Sequence, residues 1–258
     1  MRYYCFFFAQ SIAQTRVDSS RIIRVLTFNI YHGETVNATK KFDLDLLAKV
    51  ITDVNPDLVA LQEVDNKTNR AKKYDLVTEL GWRTKMAPLF GKAMSFDDGE
   101  YGEGILSKHS FLSTKRYKLP ARNGKEPRAA LAVNIVIESG DTIRFVGTHL
   151  DHTKEETDRI NQAKALNRLF LEDSIPTILV GDLNATPESE TMQILFKQWT
   201  PSIKVNIPTA PAVSPKAKID YVLFSPKNQW EVIETKVICN DIATDHCAVL
   251  SVLQFKKQ

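Results

Sequence analysis

Six places in this 258-residue chain carry side chains that could do chemistry: Asn29, Glu63, His149, Asp182 with Asn184, Asp220, and Asp245 with His246. Each ends or interrupts an apolar, β-branched run, so residues far apart in sequence would meet on one rim if those runs were strands of one sandwich. The residue types suit hydrolysis of a phosphate ester. A hard dication takes carboxylate and amide oxygens, a scissile phosphate takes imidazoles as donors or proton shuttles, and an attacking water takes a nearby base. In Asp182-Leu183-Asn184 the two-residue step returns both polar side chains to one face of an extended segment. Asp245 and His246 are adjacent and point apart, which suits different tasks.

The elements that must hold these residues follow from the apolar pattern. Arg21 to Phe28 alternates as a strand and delivers Asn29 to its carboxyl end. A helix follows, with Leu46, Leu47, Val50, Ile51 and Val54 on one face and Asn55-Pro56 as its stop. Leu58 to Leu61 is a buried strand ending at Gln62-Glu63. A short helix runs to Leu80, with Gly81 as a left-handed cap. Strands are expected over Trp82 to Leu89, Gly104 to Ser107 and Phe111 to Leu119, then a hairpin, Ala129 to Ile137 and Thr142 to Val146, turning on Ser139-Gly140-Asp141.

Glu155 to Leu171 reads as a second long helix with a seam of Ile160, Ala163, Leu166 and Leu169, its charges forming a solvated face. The apolar strand Pro176 to Val180 leads to Gly181-Asp182-Leu183-Asn184, and Pro187 opens another helix. Pro201 to Lys218 is a loop long enough to suggest a role, and strands follow at Ile219 to Phe224, Glu231 to Ile238 and Cys247 to Phe255. Two halves of similar order imply an α/β (α+β) fold of two packed sheets with helices outside, as one domain over residues 21–258.

A 43% hydrophobic composition is enough for a large core, and a formal charge of +3 falls short of the dense basic surface that would by itself indicate nucleic-acid binding. The three cysteines, Cys5, Cys239 and Cys247, have no CxxC spacing, which excludes a zinc ribbon or a disulfide-framework fold; Cys239 and Cys247 are expected as free thiols in or beside buried strands. Residues 1–20 begin with one positive charge and a short aromatic run followed by small residues. That pattern is read as a signal peptide and flexible start, implying export to a periplasmic, surface or secreted location, and otherwise a cytoplasmic one. No other stretch approaches the length of a membrane span.

The runs Thr27-Phe28-Asn29, Leu61-Gln62-Glu63-Val64, Thr148-His149-Leu150-Asp151, Gly181-Asp182-Leu183-Asn184, Ile219-Asp220-Tyr221-Val222 and Thr244-Asp245-His246 resemble, in order, the blocks of the endonuclease/exonuclease/phosphatase superfamily. The resemblance spans roughly residues 22–254. It implies the deoxyribonuclease-I-like fold, a four-layer α-β-β-α sandwich, and a Mg2+ or Mn2+ cofactor. By that resemblance Glu63 is the principal metal carboxylate, with Asn29 near metal and phosphate and Asp245 a second metal-side carboxylate. Asp182 polarises the attacking water beside the metal, Asn184 orients a phosphate oxygen, and His246 contacts the scissile phosphate with Asp220 as its partner. His149 matches the branch of secreted deoxyribonucleases, sphingomyelinases and several phosphatases, and Tyr101-Gly102-Glu103 resembles the element whose carboxylate backs that histidine.

Among the remaining candidates, Arg128, entering the hairpin after Glu126-Pro127, and Arg70 could each hold a substrate anion, with Tyr101 beside them. His32 and His152 adjoin the blocks and either line the cleft or sit in turns, while His109 is structural. Ala93-Met94 through Gly104 and Pro208-Thr209-Ala210-Pro211 resemble a compact bacterial branch of the superfamily. The expected activity is a phosphodiesterase, likewise expected to be monomeric, on nucleic acid or on a small-molecule or lipid head-group phosphoester. A dedicated nuclease, a phosphomonoesterase and a non-catalytic binding module are the alternatives.

Overall fold

The computed structural model describes residues 18–37 and 40–256, and in it the apolar runs become strands whose alternate side chains face opposite layers. The first half runs β1 (Ile22–Asn29), α1 (Leu44–Val54), β2 (Leu58–Asn66), α2 (Leu76–Thr84), β3 (Ala87–Phe96) and β4 (Gly99–Ser107). The second runs β5 (Phe111–Lys118), β6 (Ala129–Val136), β7 (Thr142–His149), α3 (Thr157–Phe170), β8 (Thr177–Asp182), α4 (Glu190–Phe196), β9 (Thr200–Pro201) and β10 (Asp220–Ser225). Then β11 (Trp230–Ile238) and β12 (Ala248–Phe255) return to the first sheet. The sheets are ordered β11-β12-β1-β2-β4-β3 and β5-β6-β7-β8-β10-β9.

Alternation along the central strands builds four layers. Ile23 and Val25 of β1 and Leu58 and Ala60 of β2 meet Ile143, Phe145, Ile178, Val180, Val222 and Phe224 of the other sheet in the middle core. Their neighbours Leu26, Phe28, Val59 and Leu61 face the other way, onto Leu47 and Ile51 of α1 and Val77 and Leu80 of α2. Leu179, Tyr221 and Leu223 likewise face Ala163, Leu166 and Phe170 of α3 and Met192 and Leu195 of α4. This is the α-β-β-α sandwich expected. Each wholly buried Leu or Ile in these layers contributes about 1.5–3 kcal/mol relative to an exposed one.

Several local expectations are corrected. The second helix does not stop at Gly81 but continues to Thr84, with Lys85 taking the left-handed position at φ 58°. A Cβ on Gly81 would lie 2.9 Å from the Met86 carbonyl oxygen and 2.9 Å from Pro88 Cβ, so glycine serves close packing of α2 on the strand that follows. The strand expected from Trp82 accordingly begins at Ala87. Pro187 precedes α4 without opening it; Ser189 is the cap, accepting from Met192 N at 3.2 Å. Residues 1–17 of the expected export signal, Cys5 included, lie outside the described residues. Among the described residues no helix is long and apolar enough to cross a membrane.

Cys239 and Cys247, expected as free thiols, form a disulfide. The cause is register: β11 and β12 pair antiparallel with Ile238 opposite Ala248, so the residues next outward become cross-strand neighbours with Cα atoms 4.2 Å apart. The bond closes a short loop that contains Asp245 and His246. Replacing both cysteines by serine is expected to lower unfolding free energy by about 2–3 kcal/mol, from loop entropy restored to the unfolded chain. Denaturant titrations of parent and double variant check this; coincident midpoints would show that the bridge contributes nothing.

Candidate active site

Strand direction gathers the polar residues. β1 and β2 run parallel with Asn29 opposite Gln62, and β7 and β8 run parallel with His149 opposite Asp182, so both sheets bring carboxyl ends to one rim. β10 runs antiparallel to β8, and its first residue, Asp220, therefore faces Asp182. β12 runs antiparallel to β1, so the segment leading into it reaches the end of β1, where Thr244 Oγ1 donates to the Asn29 carbonyl at 2.8 Å.

Two backbone features aim the carboxylates. The β2–β4 register shifts between Leu61 and Val64, and Glu63 in this bulge has φ 58°, a left-handed conformation that breaks the alternation of the strand. Gly181 has φ 154°, and a Cβ there would lie 1.8 Å from the Thr148 carbonyl oxygen. Only glycine lets β8 approach β7 closely enough to set Asp182 against His149.

The side chains then form one network. Asn29 Nδ2 donates to Glu63 Oε1 at 3.1 Å and to Asp182 Oδ2 at 3.2 Å, while its Oδ1 accepts from Tyr31 N. Expected close to metal and phosphate, Asn29 thus offers its nitrogen to the two carboxylates and holds them together. Asp182 Oδ1 accepts from Asn184 N at 2.9 Å, and its Oδ2 lies 3.4 Å from His149 Nε2 and 3.6 Å from His246 Nε2. Asn184 Nδ2 is 3.0 Å from His149 Nε2 and donates to the Leu150 carbonyl at 3.1 Å. His246 Nδ1 lies 3.0 Å from Asp220 Oδ2, as expected for that pair.

Burial sets the charges. His246 would lose its proton on burial, but the adjacent Asp220 carboxylate, aided by Asp182 and Asp245, raises its pKa to about 10. Asp182 is raised to about 7 by burial and by repulsion from Asp220, against donors from Asn184 and Asn29 and the His246 charge. Burial would also raise Glu63, yet the neighbouring His32 and His149 rings and the Asn29 hydrogen bond bring it down to about 2. Asp245 is raised by burial and, in part, by the Glu63 charge. His149 is held well below the usual imidazole range by burial and by the Arg128 cation. At neutral pH the rim therefore pairs a neutral imidazole, His149, with an imidazolium, His246.

Glu63, Asp245 and Asp182 are the oxygen donors that Mg2+ or Mn2+ prefers, and a dication among them would relieve the repulsion that raises Asp245. The donor set fits. Asp182, Asp220 and His246 also offer ligand atoms all within 4.8 Å of one another. In that cluster His246 is engaged by Asp220, its Nδ1 lying 3.0 Å from Oδ2.

Glu103 is wholly buried, and burial raises its pKa well above the usual carboxylate range. The structure places no hydrogen bond between it and His149: Glu103 Oε2 and His149 Nδ1 are both buried without a partner. Arg128, 2% exposed, is set into the same rim, with Nη2 2.9 Å from His152 Nδ1, Nη1 3.2 Å from Glu126 Oε1 and Nε unpartnered. Tyr101 is buried, and the Arg70 Cζ sits 5.7 Å from its ring centre. Arg70 itself is engaged in a two-point contact with Asp65, at 2.6 and 2.8 Å. Of the two histidines read either way, His32 places Nδ1 3.7 Å from Glu63 Oε2. Sequence reading missed Thr209, whose Oγ1 accepts from both Ile219 N and Asp220 N at 3.1 Å and whose carbonyl accepts from Cys247 N at 2.7 Å. The run Pro208 to Pro211 marked the place without indicating the role; the long loop braces the site from behind.

A sequence model of the Endonuclease/Exonuclease/phosphatase family matches residues 26–246. Solved structures similar in fold include an endonuclease/exonuclease/phosphatase from Bacteroides vulgatus (19% identity, 91% of this chain and 99% of that one, TM-score 0.76). Others are a mannosyl-6-phosphatase from Bacteroides thetaiotaomicron (15%, 90% and 100%, 0.74) and the human Nocturnin catalytic domain with bound sulfate (20%, 92% and 94%, 0.73).

The raised His246 gives a pH signature. A group that binds its proton more tightly when folded stabilises the fold fully below its unfolded pKa, 6.5, and loses that contribution as pH rises through about 10. Denaturant midpoints of metal-free protein are expected to fall across this window, and Asp220→Asn should flatten the fall. A slope unchanged in the variant would remove the pair as its source.

Proposed function

The chain belongs to the endonuclease/exonuclease/phosphatase family, and we propose that it is a divalent-metal-dependent phosphoesterase that hydrolyses phosphodiester bonds. The observation that carries this reading is the buried His246–Asp220 pair facing the Asp182 carboxylate, with Nε2 of the imidazolium 3.6 Å from Asp182 Oδ2. Proton donor and proton acceptor stand side by side on the rim, where one phosphate and its attacking water would meet both.

The residues divide the work by charge state. Asp182, poised near neutrality, accepts the proton of the attacking water, and the Asn29 and Asn184 donors fix the carboxylate for that approach. His246, charged and tethered by Asp220, donates to the phosphoryl oxygens, and neutral His149 offers a second ring at the same phosphate. Arg128 keeps a buried Nε free for an anionic oxygen. Mg2+ or Mn2+, held by Glu63 and Asp245 beside Asp182, would supply positive charge against the oxygens of the transition state. Nothing in this division depends on whether the leaving oxygen belongs to a nucleotide, a sugar or a lipid head group. The Cys239–Cys247 disulfide supports an oxidising, exported location.

Asp182→Asn and His246→Ala are each expected to cut kcat on bis(4-nitrophenyl) phosphate by roughly 10²–10⁴, the range for positioned acid–base groups. A loss below about tenfold in a variant with normal circular dichroism would remove that residue from the chemistry. Magnesium-dependent nicking of supercoiled plasmid, with His246→Ala as the control for contaminants, separates the substrates. Nicking by the parent alone makes the protein a nuclease, and diester turnover without nicking moves the substrate to small or lipid-linked phosphoesters.

A further inference from the structure

A cavity of about 530 Å³ opens beside Glu63 and is lined by His32, Glu34, Lys40, Lys41, Phe42, Arg70 and Lys72. His32 forms the wall between cavity and catalytic rim, with Nδ1 3.7 Å from Glu63 Oε2 and Nε2 3.4 Å from Glu34 Oε2. Glu34 is the single acid in the lining, set against three lysines and an arginine. Among the described residues no carboxylate lies within 4 Å of the Lys40, Lys41 or Lys72 ammonium groups, in contrast to Lys49 and Lys73, which are paired with Asp53 and Asp98. A solvated cationic face disperses its charges; here they converge on one concavity.

The lining is also built to stay in place. Arg70 is fixed by its two-point contact with fully buried Asp65 and by lying 4.5 Å over the Phe96 ring. The Lys72 ammonium sits 5.4 Å from the centre of the Phe42 ring, which in turn stacks on Tyr74. Lys40 and Lys72 both hold left-handed backbone, φ 43° and 54°, where a lysine is strained and a glycine or asparagine is not.

We propose that this cavity is a second anion subsite: it takes a further phosphate carried by the substrate a few bonds from the scissile one, on a small polyol or sugar head group rather than along a polynucleotide. The proposal rests on the phosphoesterase reading and narrows its substrate class. A volume of about 530 Å³ suits a compact phosphorylated group, whereas a polynucleotide needs an extended groove.

The test is calorimetric binding, at saturating magnesium, of two non-hydrolysable probes, propylphosphonate and propane-1,3-diyl bisphosphonate, to the full chain and to Lys41→Gln/Lys72→Gln. Two tethered anions that reach both subsites should bind the parent at least about tenfold tighter than one, and the double variant should lose that margin while keeping its affinity for propylphosphonate. Equal affinities in the parent, or a margin unchanged in the variant, would overturn the subsite. A thymidine tetranucleotide that binds the parent as tightly as the bisphosphonate and weakens equally in the variant would overturn the compact substrate in favour of a strand. Turnover of bis(4-nitrophenyl) phosphate, which has no second anion, should be the same in parent and variant. Its absence in the parent would count against phosphoester hydrolysis and leave the binding result to decide the subsite.

Discussion

Four carboxylates, Glu63, Asp182, Asp220 and Asp245, are crowded onto one rim, and the surroundings answer that repulsion. Each receives a different relief. Glu63 has the His32 ring and the Asn29 amide, Asp182 has two donors from Asn29 and Asn184 yet is still raised, Asp220 has the His246 ring, and Asp245 has Thr244 and the His246 charge and is also raised. Buried acids of one sign persist only when paired, hydrogen-bonded or metal-bound. The same crowding separates the pKa values of chemically similar groups, which is how a site obtains an acid and a base at one pH.

Much of this was legible in the sequence because the candidate site residues end strands. The apolar runs before Asn29 and Asp182 are buried on both faces, and a polar residue closing such a run has few places to go except a sheet edge. The pairing of Asp220 with His246 was legible only through the resemblance of their blocks to those of the superfamily, because nothing in the spacing of the two residues points to it. What escaped depended on register or on close approach. Glu63 reaches the rim through a bulge, the Cys239–Cys247 bond needs Ile238 opposite Ala248, and Gly81 is set by its contact with Met86 and Pro88 rather than by helix ending. Thr209 escaped because a threonine in a proline-rich loop carries no periodicity to read.

The sheets and the loops contribute differently. Strand pairing fixes where Asn29, His149, Asp182 and Asp220 lie, and a rigid platform of this kind is common to proteins with many different substrates. The segments after β1 and after β2 supply His32, Lys41, Arg70 and Lys72, and the segment before β10 supplies Thr209. These stretches can change length and composition without disturbing the pairing beneath them.

The hydrogen bond from Thr244 to the carbonyl of Asn29 spans 215 positions of the chain, and β12 cannot join β1 until the last strand has been made. Contacts of such range are assembled late, because the loop they close costs entropy before any packing repays it. A chain still emerging from the ribosome holds Asn29, Glu63 and His149 but neither His246 nor the strand that carries it into place. A complete rim is thereby withheld from the nascent polypeptide until its last strand is made.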